Sequence, residues 1–215
     1  QDYEESIEYY KKALEKEPNL ALANYNMGVA YSRLEKFEEA IESLLKSLKM
    51  NPDDFSCHYD LGVLYNEIKQ LDKAVEHFRK ALELDPSSSK CYENIAQCFL
   101  KAGKIDISLE LYKQALELSP EDQVLYYKIG DLLLVTGNAQ EALEYFNQAL
   151  SFNAVDAFLI YKRACSNASL NKIEEAIKDL NLAIELNPLF KNMAVQEKVF
   201  LNLHENPRFK ELTGI

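Results

Sequence analysis

FSCHYDLGVLYNEIKQLDKAVEHFRKALELDPSS, residues 55–88, decides how this chain is read, because the sequence on either side repeats its pattern at a constant spacing. Its proline belongs to the series Pro18, Pro52, Pro86, Pro120 and Pro188, whose members lie 34, 34, 34 and twice 34 residues apart, with Ala154 at the skipped station. A fixed period of this length is the mark of a stacked repeat architecture.

Imposing the period aligns a column of small residues, Gly28, Gly62, Ala96, Gly130 and Ala164. One residue earlier runs an apolar column, Met27, Leu61, Ile95 and Ile129, broken by Arg163. Later in each unit come Ala40, Ala74, Ser108, Ala142 and Ala176, and four residues further on Leu44, Phe78, Tyr112, Phe146 and Leu180. Spacings of three, four and seven within a unit are helical. The two groups of columns are split at Glu35-Lys36, Lys69-Gln70, Gly103-Lys104, Gly137-Asn138 and Asn171-Lys172, where Gly or Asn suits a helix C-terminus. Proline then ends the second helix, and Asn19, Asp53, Ser87 and Asp122 stand where the next helix needs an N-cap. Each unit therefore reads as helix–turn–helix, with small residues where its two helices approach closely.

Composition agrees. The 215 residues are 47% hydrophobic and 27% charged, ordinary for a globular chain, and 6 Gly and 6 Pro are too few for an all-β fold. A net charge of -11 argues against phosphate-backbone binding and against a polybasic membrane contact, so neither nucleic acid nor membrane insertion is expected. No apolar run approaches the ~20 residues that span a bilayer. Cys91 and Cys98 sit two helical turns apart, about 10 Å, beyond the roughly 7 Å that a disulfide allows. Reduced packing thiols at Cys57, Cys91, Cys98 and Cys165 point to a cytoplasmic protein.

These columns resemble the tetratricopeptide repeat (TPR), and the resemblance covers nearly the whole chain. It implies an all-α, right-handed α-α superhelix with the first helices lining a concave groove. Units are expected at 21–54, 55–88, 89–122, 123–156 and 157–190. Residues 1–20 align with the second helix of a unit whose first helix lies upstream, so the chain is expected to be a piece of a longer one. Residues 191–215 are expected to form a capping helix over 191–204 and a tail held by Phe209 and Leu212. One departure is the column in which the family often carries Trp, which holds Asn24, His58, Tyr92, Tyr126 and Ile160.

Nothing in the sequence supports catalysis, a metal or a cofactor. His58, His77 and His204 fall in different columns, with no His or Cys one helical turn away, and no phosphate-binding glycine loop or nucleophile motif occurs. Arg163 interrupts an apolar column in the same unit that places Asp179 where others carry Tyr9, Ser43, His77, Leu111 and Tyr145. The pair is expected to form a partly buried ion pair between the two helices.

The candidate site is the inner surface of the first helices. Its columns read Tyr25, Tyr59, Glu93, Tyr127 and Tyr161, then Asn26, Asp60, Asn94, Lys128 and Lys162. Lys90 and Asp131 lie three or four residues from these columns. Tyrosine offers rigid amphipathic contact area, and asparagine can both donate to and accept from a peptide backbone. Acidic Asp60 and Glu67 in the N-terminal half, against Lys128 and Lys162 in the C-terminal half, predict a partner segment with an acidic group or free carboxylate near the lysines. Co-chaperones of the family grip chaperone tails with a Lys/Asn, Asn, Lys/Arg set; here Tyr25 and Val29, then Asp60, then Lys90 and Asn94 stand in those places, which disfavours that ligand. The asparagine ladder of the N-acetylglucosamine transferase is echoed by Asn26 and Asn94 but broken by Asp60, Lys128 and Lys162. The expected function is a non-catalytic scaffold for a protein or peptide. The alternatives are a self-assembly module or the substrate-recruiting arm of an enzyme whose catalytic domain lies upstream.

Overall fold

A computed structural model describes residues 2–215, and among them the only regular elements are helices. The chain divides into two compact units, Gln1–Leu118 and Ser119–Ile215. The first holds α1 (Tyr3–Lys16), α2 (Ala21–Arg33), α3 (Phe37–Met50), α4 (Phe55–Glu67), α5 (Leu71–Leu84), α6 (Ser89–Lys101) and α7 (Ile105–Leu118). The second holds α8 (Gln123–Val135), α9 (Ala139–Phe152), α10 (Ala157–Ser169), α11 (Ile173–Leu186), α12 (Leu189–Gln196), a 3-10 helix (Lys198–Leu203) and α13 (Pro207–Thr213).

Within each unit, consecutive helices pair as hairpins, α2 with α3, α4 with α5, α6 with α7, α8 with α9 and α10 with α11. The small-residue column explains how closely they approach. A methyl group added at Gly62 would lie 2.6 Å from the Phe78 ring, at Gly130 2.8 Å from Phe146, and at Gly28 2.8 Å from the Leu44 side chain. Glycine on the first helix thus makes room for the bulky residue four positions past the second helix's small one. Phe78, Phe146 and Leu44 are almost completely buried by it.

The inter-helix turns share one backbone solution. Glu35, Lys69, Gly103, Gly137 and Asn171 all take left-handed φ values between 58° and 85°. The residue after each donates its N–H back five positions, as in Lys36 to the Tyr31 carbonyl at 3.0 Å and Gln70 to Tyr65 at 2.8 Å. That is the Schellman closure, which satisfies carbonyls the helix end would strand.

Two expectations need correction. The first-helix N-caps lie one residue later than expected, except at Asp122. Asp54 accepts from the Cys57 N–H, Asp122 from Val124, and Asp156 from Phe158 and Leu159, whereas Leu20 and Ser88 hold the cap position without a side-chain bond. Asp53 and Ser87 are cap-forming types adjacent to the true caps, so residue type alone could not choose between neighbours. The C-terminal segment is also not one helix over 191–204. It breaks at Glu197 (φ -75°, ψ 122°) into α12 and the 3-10 helix. A continuous helix would carry Glu197 and Leu201 on the Phe190–Ala194 face and turn Phe200 and Leu203 away. The break buries Phe200 and Leu203 and leaves Leu201 exposed. Phe209 is buried and Leu212 half-buried.

Candidate functional site

In the first unit the first helices α2, α4 and α6 contact one another in sequence, and the expected site residues are largely what joins them. The Tyr25 hydroxyl donates to Asp60 Oδ2 at 2.9 Å. Asn94 Nδ2 donates to the Tyr59 hydroxyl at 3.0 Å and to its own helix at the Lys90 carbonyl at 2.8 Å. Lys101 Nζ donates to Asn66 Oδ1 at 2.8 Å, a rung the sequence reading did not foresee. Each of these inter-helix bonds spans 35 residues, one repeat plus one. Burial and then the Asp60 charge push the Tyr25 phenol well above its usual range. Burial raises the Asp60 carboxyl, against the opposing pull of the Tyr25 hydrogen bond and Arg33. Asn26 is half-buried and Lys90 exposed.

The Tyr25–Asp60 rung borders a cavity of about 330 Å³ between α2 and α4, walled by Gly28, Ser32, Arg33, Tyr59, Asp60 and Val63 among others. Among the described residues Asp60 takes no hydrogen bond other than Tyr25's and no ion pair. Asp60 lines that space, and its other carboxylate oxygen takes no hydrogen bond among the described residues.

In the second unit the first helices bring aromatic side chains together. Tyr127 packs edge-on against Phe158 with ring centres 5.3 Å apart, and the Lys162 ammonium sits 5.5 Å above the Phe158 ring. Lys162 also forms an ion pair with Asp131. Burial works against its charge, but the Asp131 hydrogen bond and charge outweigh it and raise the Lys162 pKa. Lys128 is half-buried, and Val124 is 53% exposed beside this surface in the same helix. Tyr161 does not belong to the open face. It is 1% exposed, stacked on Phe190 at 4.7 Å and edge-on to Phe200 at 5.9 Å. The C-terminal segment lies over it, and Tyr161 is a packing residue.

Arg163 and Asp179 meet across the α10–α11 hairpin. Arg163 Nε and Nη2 donate to the two Asp179 oxygens at 2.8 and 2.6 Å, Asn167 Nδ2 adds a third bond to Asp179 at 3.1 Å, and Arg163 Nη1 reaches Asn147 at 3.3 Å. The structure also joins two histidines that the sequence placed in separate columns. His58 Nδ1 and His77 Nδ1 are 3.1 Å apart, and His58 Nε2 is 3.1 Å from the Pro52 carbonyl. With both rings neutral, His58 donates to that carbonyl and accepts from His77. The missed signal was that their columns face each other across a hairpin, as Tyr126 and Tyr145 do. Among the described residues no group of three or more His, Cys, Asp or Glu could hold a metal ion, and no helix is long and apolar enough to cross a membrane.

Charge is divided unevenly between the first and second helices. Helices α2, α4, α6, α8 and α10 carry six Lys or Arg and four Asp or Glu, whereas α1, α3, α5, α7, α9 and α11 carry ten and nineteen. The acidic surplus of the chain is therefore concentrated on the second helices, and the first helices are slightly basic.

A family model described as tetratricopeptide repeat matches residues 25–89 and 94–157, more than half of the chain. Further models with the same description match 77–110 and 159–188, and one described as TPR repeat matches 1–35. The chain matches no curated protein by sequence. Among solved structures it resembles YrrB, described as a TPR protein with an unusual peptide-binding site, at 22% identity and TM-score 0.74, covering 89% of this chain and 100% of that one. The C-terminal part of a TPR repeat-containing protein from Cytophaga hutchinsonii aligns at 16% identity and TM-score 0.84, over 98% and 88%. MamA aligns at 19% identity and TM-score 0.71, over 83% and 95%.

Proposed function

The chain belongs to the tetratricopeptide-repeat family, and we propose that it is a non-catalytic scaffold that holds a carboxylate-bearing segment of a partner protein on its first-helix face. The charge segregation carries this reading. A chain of net charge -11 repels an acidic ligand in general, yet its first helices hold most of their charge as Lys and Arg, and local sign steers association. In the second unit, Val124, Tyr127 and Phe158 supply apolar and aromatic contact area beside Lys128 and Lys162, a combination suited to binding hot spots. The peptide-binding site named for YrrB is consistent with the same use of the fold. Four buried thiols without a disulfide suit a cytoplasmic setting.

Selection of a random peptide library on the purified chain, followed by titration of the recovered peptides, tests the reading. Acidic peptides are expected to bind the wild type and to lose most of their affinity for a Val124→Ala, Tyr127→Ala, Lys128→Ala triple variant with unchanged helicity and melting. Equal binding by the two proteins overturns the assignment to this face.

A further inference from the structure

Among the first helices α8 is balanced, with Lys128 and Asp131, and only α4 is net acidic. Helix α4 carries Asp60 and Glu67 and no Lys or Arg. Asp60 also lines the 330 Å³ cavity between α2 and α4, and among the described residues only one of its oxygens is hydrogen-bonded. We propose that this cavity is a side-chain subsite that takes an arginine or lysine of the bound segment, with Asp60 as its counter-ion. The inference rests on the scaffold reading above and adds a position of opposite charge preference to it.

The geometry meets the three needs of such a subsite. The first is space. The absence of a side chain at Gly28, forced by the packing of Leu44, leaves the cavity wall low at that point. The second is an anion held in place. Tyr25 anchors one Asp60 oxygen at 2.9 Å, which fixes the carboxylate and leaves the other oxygen free to accept. A carboxylate accepts several hydrogen bonds, and one with a single partner in a half-buried position gains from a cationic donor. The third is a suitable wall for the stem of a long cationic side chain. Tyr59, Val63 and Ser32 line the cavity, offering an aromatic ring, an apolar side chain and a hydroxyl. Arg33 lines the cavity as well and its charge acts on Asp60, but it forms no ion pair with that carboxylate and is exposed at the end of α2. The burial that raises the Asp60 carboxyl is the same desolvation that a bound guanidinium would offset.

The test uses the full chain, ¹⁵N-labelled, with N-acetyl-arginine methylamide as probe and N-acetyl-citrulline methylamide as its uncharged isostere. The backbone amides of Gly28, Ser32, Asp60 and Val63 are expected to shift with the arginine probe. The citrulline probe and the Asp60→Asn variant are each expected to weaken the response roughly tenfold or more, as loss of a charged hydrogen bond implies. Asparagine still accepts from Tyr25, so the variant keeps the rung and the fold. Equal shifts by the two probes, or arginine shifts confined to other helices, overturn the proposal. The library-selected peptides separate the two levels. If they shift first-helix amides while neither probe moves α2 and α4, the subsite falls and the scaffold stands. If no peptide moves any first-helix amide, the scaffold reading falls and takes the subsite with it.

Discussion

Hairpin α4–α5 places Leu61 and His77 in the two facing columns where hairpin α10–α11 places Arg163 and Asp179. In the first, an aliphatic side chain fills the column and the polar ring of His77 turns to His58 at 3.1 Å. In the second, a charge occupies the apolar column, and its partner column supplies a carboxylate that Arg163 and Asn167 saturate with three hydrogen bonds. The lesson is that the repeat tolerates a charge at this depth only when the facing column completes its hydrogen bonds. Breaking that completeness gives the largest expected effect. Asp179→Ala strands Arg163, and with the Arg163 side chain 28% exposed the expected loss is about 3 kcal/mol in urea unfolding. Arg163→Leu with Asp179→Leu restores the α4–α5 solution, and that double variant is expected to match or exceed wild-type stability. A double variant as weak as the single one would show that the network does more than satisfy itself.

The same hairpins differ at the small column, Gly62 against Ala164. The residue opposite is only part of the reason, since Gly28 also faces a leucine, Leu44, at 2.8 Å. A methyl at Gly62 would overlap the Phe78 ring at 2.6 Å, whereas the matching place in α11 holds the shorter Leu180. Gly62→Ala is expected to destabilise by roughly 1–2 kcal/mol, overpacking outweighing alanine's better helix propensity. Adding Phe78→Leu should recover part of the loss. A Gly62→Ala protein as stable as wild type would mean the ring moves freely and glycine there is not a packing requirement.

Hydrophobic period and turn position were legible in the sequence because both recur in every unit and depend on residues close in the chain. What could not be read depends on contacts made from far along it. Tyr161 sits in a column of half-buried tyrosines, and the return of Phe190 and Phe200 over it makes it core. The tyrosine and asparagine columns read as groove residues, yet Tyr25 bonds to Asp60 and Tyr59 to Asn94, each pair 35 residues apart. His58 and His77 have no partner one turn away on their own helices, and their contact forms only across the hairpin. The segregation of charge was countable all along, but it has no meaning until residues are sorted by helix.

Hairpin α4–α5 also holds two histidines, His58 and His77, where α10–α11 has none. Burial first, and the His58 charge second, lower the His77 pKa from its ordinary value of about 6.5. The unfolded chain then takes up a proton at His77 before the folded one does. Stability contributed by the neutral ring is present above about 6.5 and is lost as pH falls from there toward the lowered folded value. Glu76 opposes this shift and His58 reinforces it, while Tyr65 stacks on the ring at 5.4 Å without charge. Melting temperatures from pH 7.5 to 5.5 should therefore fall more steeply for the wild type than for His77→Phe, a smaller effect than either substitution above. Parallel curves would show that the His58–His77 contact is indifferent to protonation.

The smallest effect tests the turns. Lys69 ends α4 at φ 61° and Asn171 ends α10 at φ 58°. Both are in the left-handed region, but asparagine tolerates it through local hydrogen bonding whereas lysine bears the full Cβ penalty. Lys69→Gly is expected to raise stability by about 0.5 kcal/mol, the relief of strain exceeding the added freedom of the unfolded chain. Asn171→Gly should change it less, because there is less strain to relieve. The Schellman bond from the Gln70 N–H to the Tyr65 carbonyl, 2.8 Å, needs only the backbone conformation and survives the change. If Lys69→Gly instead destabilises, then the lysine side chain holds the turn in some way that outweighs its strain. The common turn geometry of the two hairpins would then rest on different forces, just as their facing columns do.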